Sequence, residues 1–218
     1  MISRLYFDKN NAIARECSGK KVLDLGIVDH DVREEQKSSW LHGRLRKAAR
    51  EITGIDIDKS SIGILKRKGY NVRAANVENF NLRDKFDVIV AGDIMEHLNN
   101  VGSFLNSVKK HMGRDSVLIL TLPNCLSFSN WIELLIFGRI KYINEEHTAW
   151  YDANTARKIL SNNGFKIHEL SFINHNPHFV GESRIRAFMK DVRHLFASFL
   201  CLLRPQSAPT LFIRAGLK

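Results

Sequence analysis

Hydrophobic and polar positions follow two different periods along the first two-thirds of the chain. Short runs rich in apolar residues, typical of strands, occur at 21–26, 51–58, 70–75, 86–91 and 116–122. Between these runs, apolar residues recur every three or four positions, which indicates amphipathic helices. Strands that alternate with helices in this way predict a parallel sheet covered by helices on both faces.

Short polar residues mark where the predicted helices begin and end. Ser38 or Ser39 is expected to cap the first helix after strand 21–26, and Asp58 and Asp152 are expected to cap two later ones. Gly69 is expected to end the helix that Asp58 begins. These helices therefore have boundaries that the local sequence alone predicts.

The last third of the chain completes the predicted sheet. Strands are predicted at 165–173 and 210–217, which brings their number to seven. We expect a doubly wound, mostly parallel, seven-stranded α/β sheet within a single domain, 1–218. Two strongly apolar segments, at about 125–148 and 178–205, are predicted to be helical cap insertions over the ligand crevice.

Net charge adds a clue about partners. The chain has 33 Lys and Arg against 23 Asp and Glu, a net charge of +10, and residues 181–218 contribute seven basic and two acidic side chains. Such a balance is typical of proteins that bind nucleic acid, an anionic membrane surface or an acidic substrate, and equally of a solvated basic face. Because these basic residues are interleaved with aliphatic residues of the kind that proteins bury, a nucleic-acid partner is disfavoured.

The rest of the composition is that of a globular protein from a reducing compartment. Hydrophobic residues make up 44% and charged residues 26%, which excludes a disordered chain. Cys17, Cys125 and Cys201 are odd in number and far apart, so neither a disulfide framework nor a metal site is expected. The N-terminus lacks the apolar core of a signal peptide, and the apolar run at 195–203 is much shorter than the roughly 20 residues of a transmembrane helix. We therefore expect a cytoplasmic protein.

Small residues and carboxylates recur where the predicted strands end. Gly26 allows a ligand to approach the backbone, and Asp56 can accept the two hydroxyl groups of a ribose. Residues 76–77 offer an amide and an apolar contact to a purine, and 91–93 again combine small residues with a carboxylate. Because ligands of parallel sheets bind beyond the carboxyl ends of the strands, this succession predicts a site for a nucleoside-containing cofactor.

At these positions the sequence resembles the class I S-adenosylmethionine-dependent methyltransferases, especially those that act on quinones, lipids or sugar-containing metabolites. The resemblance extends over 18–173, and its most specific segment includes Glu96-His97-Leu98. It implies a Rossmann-like methyltransferase fold and S-adenosyl-L-methionine as the cofactor. The segments that carry it are 22–26, 54–58, 86–98, 118–124 and 164–165.

The resemblance also implies which residues contact the cofactor. Gly26 and its neighbours would lie near the methionine part, Asp56 would bind the ribose, and Ile57 would pack on the adenine ring. The residues at 76–77 would lie at the adenine edge and those at 91–93 beneath the sulfonium. The implied cofactor-binding positions are Asp24, Gly26, Asp56, Ile57, Asn76, Val77, Ala91, Gly92 and Asp93.

The first loop departs from the family pattern of glycines at alternate positions. Val28 and His30 stand where the second and third glycines are expected. The Val28 side chain would crowd a tight cofactor turn, so the loop either follows another path or binds the cofactor more weakly. An alternative function therefore stays open: a catalytically degenerate methyltransferase-like protein that binds a partner. A dehydrogenase is excluded, because Gly-x-Gly-x-x-Gly is missing after the first strand.

Two histidines are candidates for the base that removes a proton from the methyl acceptor. His147 precedes the helix that Asp152 caps, and His97 follows the fourth strand; both can exchange a proton near neutral pH. A structural or surface role is the alternative for either residue.

The methyl acceptor should be recognised by the apolar insertions. Together with the basic residues at 182–203, these insertions suit a lipid-linked or anionic amphiphilic acceptor, or peripheral contact with a membrane. The function that the resemblance implies is therefore methyl transfer from S-adenosyl-L-methionine to a small-molecule or lipid- or glycan-linked acceptor. Core packing or a dimer interface would explain the same pattern, and the oligomeric state stays open.

Overall fold

The computed structural model describes residues 4–28, 35, 37–140, 145–174 and 197–218, which form an α/β fold. The strands are β1 (Leu5–Tyr6), β2 (Lys21–Leu25), β3 (Glu51–Asp56), β4 (Val72–Ala74), β5 (Phe86–Gly92), β6 (Met112–Pro123), β7 (Phe165–Ile173) and β8 (Thr210–Leu217). The helices are α1 (Lys9–Cys17), α2 (Leu41–Ala48), α3 (Lys59–Arg67), α4 (Val101–Lys110), α5 (Phe128–Phe137) and α6 (Ala153–Asn162). Residues 197–203 are also helical.

The strands of the described residues form one sheet in the order β1-β7-β8-β6-β5-β2-β3-β4. Neighbouring strands are parallel except at β8, which runs antiparallel to both β6 and β7. The predicted mostly parallel α/β class is therefore confirmed, as are all seven predicted strands. The sheet has an eighth strand, because Leu5 and Tyr6 pair in parallel with the end of β7. Two residues are too few to show a period in the sequence.

Local capping explains most helix starts, with one exception. Asp58 and Asp152 accept hydrogen bonds from backbone N–H groups in the first turns of α3 and α6, as predicted. The predicted Ser38 or Ser39 cap of α2 is wrong, because Trp40 occupies that position without a side-chain cap. The Trp40 indole is buried and donates to the Ile27 carbonyl at 2.8 Å, so tertiary packing determines where this helix begins.

Helix α1 was not predicted, although its sequence has the usual features. Asp8 caps it, and the buried residues Ala12, Ile13 and Cys17 lie on one face. This face packs with α2 against one side of the sheet. The position of α1 brings Lys9, its first residue, to the edge where β5 ends.

Alternation along β5 shows how the sheet is covered on both faces. Val88 and Val90 belong to the cluster beneath α1 and α2, whereas Ile89 and Ala91 belong to the larger cluster beneath α4 and α6. Because each strand residue faces the opposite side from its neighbour, a nearly continuous apolar run buries both faces of the strand. The core therefore holds the carboxyl ends of the central strands in a fixed arrangement.

The predicted cap insertions are described only in part. Helix α5 lies within the first, at about 125–148, and contains no buried residue. Of the second, at about 178–205, residues 178–196 lie outside the described residues, and 197–203 are helical. Among the described residues, no helix combines the length and the apolar character needed to cross a bilayer.

Candidate functional site

The carboxyl ends of β2, β3 and β5 open onto a cavity of about 830 Å³. This volume lies within the range of roughly 300–1,000 Å³ that is typical of small-molecule sites. Eight of the predicted site residues line it: Asp24, Gly26, Asp56, Ile57, Gly92, Asp93, His97 and His147. Sequence positions up to 123 residues apart are thus brought to one place, as expected at the end of a parallel sheet.

Three predicted cofactor residues do not line this cavity. Asn76 is exposed, and its side-chain oxygen accepts a hydrogen bond from the Glu78 backbone at 2.9 Å within a turn. Val77 packs against the core, and Ala91 is buried in β5 between its neighbouring strands. The roles of these three residues in cofactor binding stay predictions.

The first loop requires a glycine at position 26. Gly26 has a φ of 70°, and a Cβ at this position would overlap with Ile94 Cδ1. Both the left-handed conformation and the closeness of Ile94 therefore exclude a larger residue without rearrangement. The Gly26 N–H donates to the Ile55 carbonyl at 2.8 Å, which ties the loop to the end of β3.

Asp56 fastens the part of the loop that departs from the family pattern. Its Oδ2 accepts from the Val28 N–H and its Oδ1 from the Asp58 N–H, each at 2.9 Å. A carboxylate has about four acceptor positions, so roughly two remain for a ligand. Val28 therefore helps to fix the loop through its backbone N–H. Asp56 holds the loop in place and keeps acceptor capacity for the predicted ribose contact.

A buried polar pair lies beneath the loop. His42 Nδ1 is 2.9 Å from Asp24 Oδ2. The His42 ring packs near Trp40 and Tyr70. The His42 ring also explains why residue 54 is glycine, because a Cβ there would lie only 2.8 Å from His42 Cε1. His42 was not predicted as a site residue, because a histidine within a helical segment gives no sign of such a partner.

The cavity has an exposed apolar side chain at its edge. Ile57 follows β3 at the cavity edge and is 69% exposed. A flat apolar ring placed on this side chain would remove that surface from water, which is favourable. The position fits the predicted contact with adenine.

Asp93 at the end of β5 is held in a strained conformation. Its φ is 53°, which is uncommon for a residue other than glycine. The Lys9 ammonium forms an ion pair with its carboxylate, and Thr121 Oγ1 donates to it at 2.9 Å. Backbone strain supported by such contacts is common at functional sites. Lys9 was missed because helix α1 was not predicted.

Glu96, His97 and His147 form a second group on the same cavity. Glu96 is 1% exposed, and among the described residues neither of its carboxylate oxygens has a hydrogen-bond partner. Burial, with a smaller contribution from the charge of Asp93, raises the pKa of Glu96 to about 8. Burial also lowers the pKa of His147, and nearby His97 lowers it further. His147 therefore tends towards the neutral form that can accept a proton.

Backbone hydrogen bonds bring the two histidines together. The Thr148 and Ala149 N–H groups donate to the Glu96 carbonyl at 2.8 and 3.2 Å, which joins the segment after His147 to the turn that contains His97. The two imidazole rings meet edge to face, with centroids 4.7 Å apart. Both histidines were predicted from the sequence as site residues, but no sequence pattern indicates that they are neighbours.

A small hollow of about 20 Å³ continues from this group towards helix α5. Glu96 and His147 line it together with Asn124, Cys125 and Trp150. It is large enough for about one water molecule and extends the site from His147 towards α5.

The family model of a methyltransferase domain matches residues 3–170 of this chain. A probable S-adenosylmethionine-dependent methyltransferase of Mycolicibacterium smegmatis is 22% identical over 160 residues, which cover 72% of this chain and 56% of that protein. A ubiquinone biosynthesis O-methyltransferase of Bradyrhizobium sp. is 23% identical over 131 residues, which cover 57% and 47%. The chain thus spans about half the length of these curated relatives.

Solved structures show the same fold. A methyltransferase dependent on S-adenosylmethionine from Archaeoglobus fulgidus has a TM-score of 0.64 at 18% identity, and the match covers 94% of this chain and 90% of the other. Magnesium protoporphyrin IX methyltransferase from Synechocystis, solved with bound S-adenosylhomocysteine, has a TM-score of 0.60 at 15% identity, with coverage of 96% and 82%. At these identities the likeness concerns the fold.

Proposed function

The chain belongs to the methyltransferase domain family, the class I enzymes that use S-adenosyl-L-methionine, and from this premise we propose that it transfers a methyl group from that cofactor to a small-molecule acceptor. The observation that carries the proposal is the cavity at the ends of β2, β3 and β5. It joins residues predicted to bind the cofactor to two histidines that can face an acceptor.

The residues of the cavity fit the cofactor chemically. Asp56 retains acceptor capacity for ribose hydroxyls, and the exposed Ile57 offers an apolar surface for adenine. Gly26 keeps the first loop close to Ile94, which leaves the cavity open above the end of β2. The valine at position 28 does not oppose this fit, because its backbone, tied to Asp56, shapes the turn.

The chain's own contribution to methyl transfer is alignment and proton removal. When bound, the cofactor supplies a methyl group on a positively charged sulfur, and transfer requires the acceptor atom to approach in line. His147 lines both the cavity and the hollow beside it, and its lowered pKa favours the neutral imidazole. His147 can therefore accept the acceptor's proton, and His97 lies against its ring to orient it.

Calorimetry with S-adenosylhomocysteine tests this function most directly. We expect saturable binding, together with transfer of label from methyl-labelled S-adenosylmethionine to a fraction of candidate acceptors. If no heat of binding is seen at millimolar ligand, the enzymatic function fails. The catalytically degenerate, partner-binding alternative would then be favoured.

We also propose that the acceptor is lipid-linked or amphipathic and that the protein works in the cytoplasm, peripheral to a membrane. Support comes from helix α5, in which Trp131, Leu135 and Phe137 are exposed, Leu135 by 80%. Leu202 and Leu203 in the helical residues 197–203 are exposed as well. Exposed apolar surface of this kind is typical of membrane or partner contacts, and the net charge of +10 favours an anionic lipid surface.

Helix α5 begins, and the helical residues 197–203 end, near the same point of the fold. Asn124, shortly before α5, donates to the carbonyls of Gln206 and Ala208 at 2.8 Å each. The hollow beside Glu96 also contacts Asn124. An acceptor held at a membrane through these helices would therefore lie beside the proposed site.

Sedimentation with vesicles tests the membrane proposal. We expect salt-sensitive binding to anionic vesicles and little binding to zwitterionic ones. Leu135→Glu should weaken it, whereas Asn162→Glu, which adds the same charge at the end of α6, should not. Equal binding by both variants, or none by the unaltered protein, would contradict the proposal.

A further inference from the structure

Glu96 has a buried carboxylate for which the described residues provide no hydrogen-bond donor. It is 1% exposed, yet both of its oxygens lack a hydrogen-bond partner there. A buried carboxylate is costly unless it is paired, hydrogen-bonded or bound to a metal. Lys9, the lysine among the described residues that line this cavity, is paired with Asp93. The carboxylate of Glu96 therefore faces the cavity with unused acceptor capacity.

Two imidazoles share the space in front of this carboxylate. One ligand atom each from Glu96, His97 and His147 lie within 4.8 Å of one another. Bonds of about 2.0–2.2 Å to a metal ion place neighbouring donor atoms roughly 3 Å apart, so modest side-chain rotations would complete the arrangement. Both histidines are only partly buried, which permits such rotations.

We propose that Glu96, His97 and His147 bind a divalent transition-metal ion. Two imidazoles and one carboxylate favour Zn²⁺, Fe²⁺, Co²⁺ or Ni²⁺ over Mg²⁺ and Ca²⁺, which prefer sites made of oxygen ligands. This site differs from the sequence-based expectation that the chain has no metal site. Its donors come from residues 51 positions apart in the chain, a spacing that no short motif reveals.

The position of the proposed ion has a chemical consequence. Three protein ligands would leave coordination positions open, as at catalytic metal sites, and all three of these residues line the cavity. An oxygen atom of the methyl acceptor could occupy such a position. The ion would then lower the pKa of that hydroxyl, whose proton would pass to water, and this would replace proton removal by His147, because the metal would occupy its ring nitrogen. This consequence rests on the proposed function, whereas metal binding itself does not.

Two other carboxylates on the cavity have their own partners, so the proposed site does not need them as metal ligands. Asp93 is held by Lys9 and Thr121, and Asp24 by His42. Neither carboxylate needs to turn towards the ion for the proposed three-residue site to form.

Metal titration of the full chain, without an affinity tag and after dialysis against a chelator, tests the proposal. We expect one equivalent of Zn²⁺ to bind by calorimetry, Co²⁺ to develop d–d absorption on binding, and Mg²⁺ to bind much more weakly. Glu96→Gln, His97→Ala and His147→Ala should each lower Zn²⁺ affinity by about tenfold or more. The chain has nine histidines, so His168→Ala, at an exposed position on β7, serves as the matched control and should bind normally.

Several outcomes would overturn the metal site. These are the absence of stoichiometric binding, unchanged affinity in all three ligand variants, or an equal loss in His168→Ala. Circular dichroism of each variant shows whether it is folded, and Glu96→Gln keeps the volume of the side chain in its buried position. S-adenosylhomocysteine binding, measured on the same samples, separates the two proposals. If the protein binds this ligand but binds no metal ion, only the metal site is overturned. Metal binding without it overturns only the proposed function.

Discussion

His42 and Asp24 form a buried hydrogen-bonded pair directly beneath the cavity, with 2.9 Å between His42 Nδ1 and Asp24 Oδ2. Neither residue is more than 2% exposed. The pair connects helix α2 to β2, the strand that leads into the first loop of the site. Its integrity therefore concerns both the stability of the fold and the shape of the cavity.

Replacement of His42 should destabilise the protein. His42→Ala removes a partner from the buried Asp24 carboxylate and leaves a space beneath Gly54, so we expect a loss of about 3–5 kcal/mol in the free energy of unfolding. Urea denaturation measures this change. His168→Ala, at an exposed position, should change it by less than about 0.5 kcal/mol. Similar losses in both variants would show that the pair has no special importance.

Alanine substitutions at two glycines with the same backbone conformation distinguish the effect of backbone strain from that of a packing clash. Gly19 and Gly26 have φ values of 69° and 70°, but a Cβ at Gly19 would meet nothing within 4 Å. Ala at either position should cost about 1–2 kcal/mol of stability. Only Gly26→Ala also displaces Ile94, which lines the cavity, so only this variant should lower S-adenosylhomocysteine affinity, by about tenfold. Equal affinities of the two variants in calorimetry would contradict this assignment.

Asp56 should be needed for cofactor binding. Asp56→Ala removes the acceptor for the ribose and releases the Val28 N–H, so we expect binding of S-adenosylhomocysteine to weaken by about 1–3 kcal/mol. Asp115→Ala removes an exposed carboxylate at a distant position in β6 and should bind as the unaltered protein does. Calorimetry on both variants checks the prediction, and unchanged affinity in Asp56→Ala would show that the ribose assignment is wrong.

Glu96 should make stability depend on pH in a definite direction. Its pKa is raised by burial from 4.5 in the unfolded chain to about 8, so the folded protein holds this proton more tightly. The resulting stabilisation is complete below about pH 4.5 and is lost as the pH rises through about 8. In chelator-treated protein this contribution should decline by roughly 2–4 kcal/mol across that range.

The isosteric variant isolates this contribution from other titrating groups. Glu96→Gln cannot ionise, so the difference in unfolding free energy between it and the unaltered protein should grow with pH in favour of the variant. Chemical denaturation at pH 5 and pH 8 provides the measurement. A difference that stays constant with pH would mean that the Glu96 carboxylate has a partner that lowers its pKa in the folded state.

The fold could be predicted because its signals are local. The apolar run of β5 is buried on both faces, and Asp58 and Asp152 cap the helices that follow them. The order of strands and helices then predicts a parallel sheet. Asp56 and Asp93 were predicted as site residues because they lie at its carboxyl edge. Two elements were not predicted correctly because their local signal is absent or is overruled by packing: a two-residue strand shows no period, and Trp40 begins α2 through a tertiary contact in place of a serine cap.

The sequence by itself determined the α/β class, the edge of the sheet at which the site lies and most of the residues on it, since these follow from periodicity and strand ends. Only the tertiary structure decided how those residues are paired. The burial of Glu96, the meeting of His97 with His147 and the contact of Lys9 with Asp93 join segments that are distant in the chain. Such contacts depend on how close-packed elements meet, and burial, which sets the pKa of Glu96, arises only when they do.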